Sequence, residues 1–307
     1  MSLLVVGSVA FDALETPFGK TDKIIGGSGT YFSLSAAFLS KKVNLVGVVG
    51  GDFPKEKIQM LQAHGVDTLG LQIKEGEKSF FWSGRYHNDM NSRDTLVTEL
   101  NVLADFDPVI PEAYQDCEYL MLGNLAPKVQ ASVIERLKKR PKLICIDTMN
   151  FWMDVAWDDL METMRMVDVI SLNDEEARQL TKEYSLVKAA KKIFAMGPKI
   201  VVIKKGEHGA LLFNKDQVFF APALPLEEVF DPTGAGDTFA GGFMGYLAAT
   251  NDISFENMKR SVIYGSALAS FCVEKFGIDR LVDLAEQELN ERIQKFVDLV
   301  QFEIPMD

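Results

Sequence analysis

Asp231-Pro232-Thr233-Gly234-Ala235-Gly236-Asp237-Thr238-Phe239 is the stretch best equipped for chemistry, and Ala240-Gly241-Gly242-Phe243 follows it. The run before it, residues 219–229, is apolar and turn-rich, with Pro222 and Pro225. The run after it carries a proline-free helical pattern to Ala249. The glycines therefore fall where a loop feeds a helix. A helix N-terminus offers unpaired N–H groups and a partial positive charge, which suits an anion. Gly234 and Gly236 let the backbone approach a phosphate closely. Asp237 would repel that anion, so its carboxylate must serve in some other way. The natural one is to take the proton from a hydroxyl that attacks the phosphate. A glycine-rich turn with an acid is by itself an ordinary tight turn with an N-cap.

The same string closely resembles the C-terminal signature of the PfkB, or ribokinase-like, carbohydrate kinases. The resemblance implies an anion hole from the Gly234, Ala235 and Gly236 amides. It makes Asp237 the catalytic base, also in contact with the acceptor, and sets Thr233 with Gly234 and Gly236 at the phosphates of ATP.

Weaker motifs agree with it. Gly7-Ser8 followed by Asp12 resembles the family's start, where this acid grips the sugar; from the residues alone Asp12 is a loop acid just past a strand. Gly26-Gly27 matches the N-terminal Gly-Gly motif lining the sugar pocket. Many members carry Asn where this chain has Tyr31, a departure that weakens ribose or fructose phosphate as the acceptor. The Tyr31 ring suits stacking on a sugar face or a base, or the core. Asn150 follows a strand ending on Asp147, at the ligand side of a parallel sheet, and is read as an acceptor contact. Asn173 and Glu176 form a capping box by spacing; in the family this Asn-x-x-Glu organises the magnesium–phosphate shell, with Glu176 acting through water. Lys204, Gly206 and Gly209 resemble the segment at the nucleotide's phosphate–ribose side. Arg85, Asn91 and Arg93 read as a solvated face.

These residues need a frame. Short apolar runs at residues 3–9, 42–49, 119–123, 143–147, 167–172 and 199–206 alternate with helical patterns, which predicts a three-layer α/β/α fold around a mainly parallel sheet. Period-two alternation over residues 68–100 predicts an inserted small sheet. By resemblance this is a β lid over the sugar, formed by residues 12–25 and 68–100, and in some members a dimer interface. The chain is read as one domain over residues 1–307, ending in an amphipathic helix at 281–299.

Composition narrows the function. Among 307 residues the net charge is −12 and the pI about 4.9, which disfavours nucleic acid or an anionic membrane as a partner. Three separated cysteines and no signal-like or membrane-length apolar run fit a reducing cytoplasm. The expectation is an ATP- and Mg2+-dependent phosphotransferase acting on a sugar hydroxyl. A nucleoside acceptor and a non-catalytic sugar- or nucleotide-binding regulator are the alternatives. A dinucleotide-binding dehydrogenase is excluded, because Gly7-Ser8-Val9-Ala10 lacks the second and third glycines of that fingerprint.

Overall fold

The computed structural model describes residues 1–301. In chain order its strands are β1 (Leu3–Val6), β2 (Ala10–Thr16), β3 (Gly19–Lys20), β4 (Ile24–Gly26), β5 (Val43–Gly50), β6 (Val66–Lys74), β7 (Phe80–Tyr86), β8 (Arg93–Glu99), β9 (Tyr119–Leu122), β10 (Leu143–Asp147), β11 (Val169–Asn173), β12 (Ile200–Lys204), β13 (Ala210–Phe213) and β14 (Val218–Ala221). The helices are α1 (Ser28–Ala37), α2 (Lys55–Ala63), α3 (Pro127–Arg136), α4 (Asn150–Val155), α5 (Trp157–Met164), α6 (Asp174–Thr181), α7 (Leu186–Met196), α8 (Ala235–Thr250), α9 (Phe255–Cys272), α10 (Asp279–Val282) and α11 (Glu286–Val300).

Nine strands form the central sheet in the order β14-β13-β12-β11-β10-β9-β1-β5-β6. The seven from β12 to β6 are parallel, and β13 and β14 close the other edge antiparallel. A parallel sheet must be covered on both faces, and β1 shows how. Leu3 and Val5 join a core shared with α1, α8 and α9. Leu4 and Val6 point the other way, into a core shared with α3, α5, α6 and α7. This is the three-layer arrangement that the strand–helix alternation predicts.

The small sheet runs β3-β2-β7-β8, with β4 also paired to β2. Two boundaries differ from expectation. Residues 68–74 belong to β6, which pairs in parallel with β5 in the central sheet. As an edge strand β6 is wet on one side, so its residues alternate buried and exposed from Val66 to Gly70 and mimic the rhythm of a small antiparallel sheet. The second contribution to the small sheet therefore starts at Phe80. Asp12 does not sit in a loop: it lies inside β2, opposite Ile24 and Trp82. The expected final helix is two, α10 and α11, broken at residues 283–285.

Candidate active site

The signature turn is built around Asp231, whose side chain is fully buried. Its carboxylate accepts the backbone N–H of Thr233 at 2.8 Å and that of Gly277 at 2.8 Å, fixing the turn against the loop after α9. Gly234 then takes a left-handed conformation (φ 73°) as the N-cap of α8. Ala235 N–H donates back to the Pro232 carbonyl at 3.2 Å. Of the three amides expected in the anion hole, Ala235's is thus already used. Those of Gly234 and Gly236 have no protein acceptor among the described residues, so they face the end of the helix with the dipole behind them. Asp237 follows in the first turn of α8.

Next to this turn are the carboxyl ends of three parallel strands. Ladder register sets Asp147 of β10 beside Ser171 of β11, and Asn173 of β11 beside Lys204 of β12. Lys204 Nζ donates to Asp147 Oδ2 at 2.8 Å, with side chains only 16% and 8% exposed. The ammonium lies against the signature turn: a Cβ built on Gly236 would be 3.1 Å from Nζ. Asn173 and Glu176 form the predicted capping box, with both hydrogen bonds at 2.7 Å. Only Oε2 of Glu176 is used in it.

Electrostatics reflect this crowding. Burial, then the charge of Asp147, pushes the Asp237 carboxyl up to about 7, with Lys204 and Arg93 pulling it back. Glu176 is likewise pushed up to about 7 by burial and Asp147. Burial works against the Lys204 ammonium, but Asp147, Glu176 and Asp237 together outweigh it and raise its pKa above the ordinary lysine value.

These groups open onto a cavity of about 720 Å3. Its lining combines polar and charged groups, among them Asp147, Asn173, Glu176 and Lys204 with Gly206, Gly209, Ala235 and Gly236, and apolar ones, Leu224, Leu226, Val229, Ala269 and Val273. The small sheet contributes Tyr86 and Arg93 to the lining. Tyr86 also accepts a hydrogen bond from Thr233 Oγ1 at 3.1 Å. A lining that mixes charged and apolar groups suits a nucleotide, which carries both phosphates and a base.

The acceptor candidates divide. Asp12 is 4% exposed and packs against Gly26, where a Cβ would fall 1.8 Å from Oδ2. Burial, then the charges of Asp231 and Asp237, pushes its carboxyl up to about 8, partly offset by the Gly27 backbone. Asp12, Asp231 and Asp237 thus share one electrostatic neighbourhood on the small-sheet side of the turn. Tyr31 is not a pocket wall: at 1% exposure its ring lies under Gly234, within 2.4 Å of where a Cβ would stand. Asn150 starts α4, where its amide donates to Gln179 Oε1; it is not among the residues lining the cavity. Sequence reasoning undervalued Asp147, whose strand-end position was visible but whose lysine partner, 57 positions away, was not. Arg93, read as a solvated face, is indeed exposed on β8, and it also lines the cavity.

Comparison with known proteins places the chain in a family. Residues 2–283 match the model of the pfkB family of carbohydrate kinases. A cytidine kinase of Thermococcus kodakarensis is 36% identical over 80% of this chain and 87% of its own length. A nucleoside kinase of Methanothermobacter thermautotrophicus is 25% identical over 99% and 98%. The crystal structure of the Methanocaldococcus jannaschii nucleoside kinase superposes with a TM-score of 0.77 at 19% identity, covering 96% of this chain and 99% of that one. The chain belongs to the pfkB family of carbohydrate kinases. It is an ATP-dependent kinase that phosphorylates a hydroxyl of a sugar or sugar derivative. Among the described residues no helix is long and apolar enough to cross a membrane.

Proposed function

We propose that this kinase acts on a nucleoside, moving the γ-phosphoryl group of ATP to a ribosyl hydroxyl with Asp237 as general base. One observation carries the mechanism: a half-buried carboxyl pushed up to about 7 in the first turn of α8, next to two amides without a protein acceptor among the described residues. A base with a pKa near the working pH combines the right protonation state with useful proton affinity. The nucleoside acceptor is supported by the names of the relatives at 36% and 25% identity.

In this reading the acceptor hydroxyl approaches Asp237 from the side of Asp12, which hydrogen-bonds the acceptor's other hydroxyls. Asp237 orients the attacking oxygen and takes its proton as its bond to the γ-phosphorus forms and the bond from that phosphorus to the β–γ bridging oxygen breaks, releasing ADP. The Gly234 and Gly236 amides and the Lys204 ammonium stabilise the charge spread over the moving phosphoryl oxygens. Arg93 and Tyr86, from the small sheet, cover the phosphates and keep water from competing as acceptor. Magnesium fits the donor set in one way. Glu176, with Oε1 outside its capping hydrogen bonds, is the residue that would hold the ion through water, the nucleotide phosphates supplying its other ligands. When bound it neutralises phosphate charge.

The test is ADP release from Mg-ATP across cytidine, other nucleosides, ribose and fructose phosphates, with Asp237→Asn alongside. The expected result is turnover with nucleosides, and a loss of at least ~10²-fold in kcat in the variant with acceptor binding retained. A loss below tenfold refutes the base assignment; turnover with free sugars alone refutes the nucleoside.

A further inference from the structure

An acid does not belong at an anion site unless it does something for the cations there. Asp147 is such an acid. It lines the same cavity as Gly236 and Lys204, and its charge raises the pKa of both Asp237 and Glu176. It is held with unusual care. Gln130, 1% exposed, donates from Nε2 to the carbonyl oxygens of Gly123 at 2.7 Å and of Asp147 at 3.0 Å, fixing the backbone at the strand end. From there the carboxylate reaches Lys204 Nζ at 2.8 Å. A lysine side chain has four rotatable bonds and no preferred direction. Asp147 removes that freedom and parks the ammonium over Gly236.

We infer that Asp147 is a positioning residue for phosphoryl transfer, acting through Lys204: it holds the ammonium at the open end of α8, where the transferred phosphoryl group passes. This rests on the reading that Gly236 and Asp237 mark the transfer site. The arrangement has a cost, since Asp147 repels the phosphates wherever Lys204 does not neutralise it. The sign of its effect therefore depends on Lys204. With the lysine present, the acid aims a cation. Without it, whatever negative charge the buried acid keeps faces an anion unshielded.

That reversal can be measured. Asp147→Asn, Lys204→Met and the double variant are compared in the full chain. The kinetic readout is kcat with cytidine, or with the acceptor identified above. Mg-ATP binding is read by calorimetry, which needs no acceptor. Asp147→Asn alone is expected to lower kcat at least ~30-fold with Mg-ATP affinity unchanged or tighter. Lys204→Met is expected to weaken Mg-ATP binding at least ~10-fold. Adding Asp147→Asn to Lys204→Met is expected to regain at least ~3-fold of that binding and to cost no further kcat. If Asp147→Asn lowers kcat by the same factor in both backgrounds, it does not act through Lys204 and the inference is overturned. Should Lys204→Met fail to fold, Lys204→Gln removes the charge while keeping a hydrogen bond to Asp147, and the same comparison applies. Asp237→Asn is run in parallel. Full turnover in that variant overturns the reading of the transfer site and this inference with it. Loss of turnover there, with equal Asp147 factors, overturns this inference alone.

Discussion

Replacing Gly234 with alanine tests whether the signature turn is set by the packing beneath it. Two penalties add at this position. The residue sits at φ 73°, where a side chain costs about 1–2 kcal/mol. Its new Cβ would also stand 2.4 Å from Cε2 and Cζ of Tyr31. That ring is 1% exposed and has nowhere to retreat, so overpacking adds about 1–3 kcal/mol. The expected loss is roughly 2–5 kcal/mol, less a few tenths for the stiffer unfolded chain. Gly76 provides the control: its φ is +83° with nothing within 4 Å of a built Cβ, so Gly76→Ala carries the backbone term alone, about 1 kcal/mol. Urea unfolding with matched m-values reads both. The double variant Gly234→Ala/Tyr31→Leu should recover part of the difference, because it removes the clash but not the dihedral strain. If Gly234→Ala costs no more than Gly76→Ala, the ring does not shape the turn and the argument fails.

Two further outcomes follow from the buried carboxyls. The base must be ionised to work, and Asp237 is pushed up to about 7, so kcat/KM for the acceptor should fall as pH drops below about 7, roughly tenfold per unit; a profile flat down to pH 5.5 contradicts this. The folded Asp12 carboxyl titrates near 8 against an ordinary 3.8, so the folded state holds a proton that the unfolded chain has released. Its contribution therefore weakens the fold increasingly as pH rises from about 4 to about 8. Asp12→Asn should make the unliganded protein more stable than the parent at pH 9, by more than about 1.4 kcal/mol, the equivalent of one pKa unit. The gain should shrink toward pH 4, and denaturant unfolding at both pH values checks it.

How much was readable from the letters follows from how local each signal is. The parallel sheet was legible because strands buried on both faces, such as Leu3–Val6, are continuous apolar runs. The capping box of Asn173 and Glu176 was legible because its geometry spans four residues. The signature was legible because so long a string of small residues and acids in fixed order rarely arises by chance. What was missed is non-local or depends on an edge. β6 alternates because nothing covers one side of it, not because it belongs to the small sheet. Tyr31 was assigned to the acceptor because its motif neighbours line the pocket, yet helix geometry turns its ring under Gly234. Asn150 follows the right strand but faces Gln179. The pairing of Asp147 with Lys204 depends on β10, β11 and β12 lying side by side, which neither segment reveals alone.

The carboxylates of the site, Asp12, Asp147, Glu176 and Asp237, come from segments distributed over most of the chain and meet only where β2, three central strands and α8 converge. Asp12 and Asp147 lie on strands, Glu176 and Asp237 in the first turns of helices, so their mutual repulsion is felt only where these elements dock. The stability of the folded enzyme is therefore tied to the protonation of its own catalytic groups: the conditions that ionise them for catalysis also weaken the empty fold.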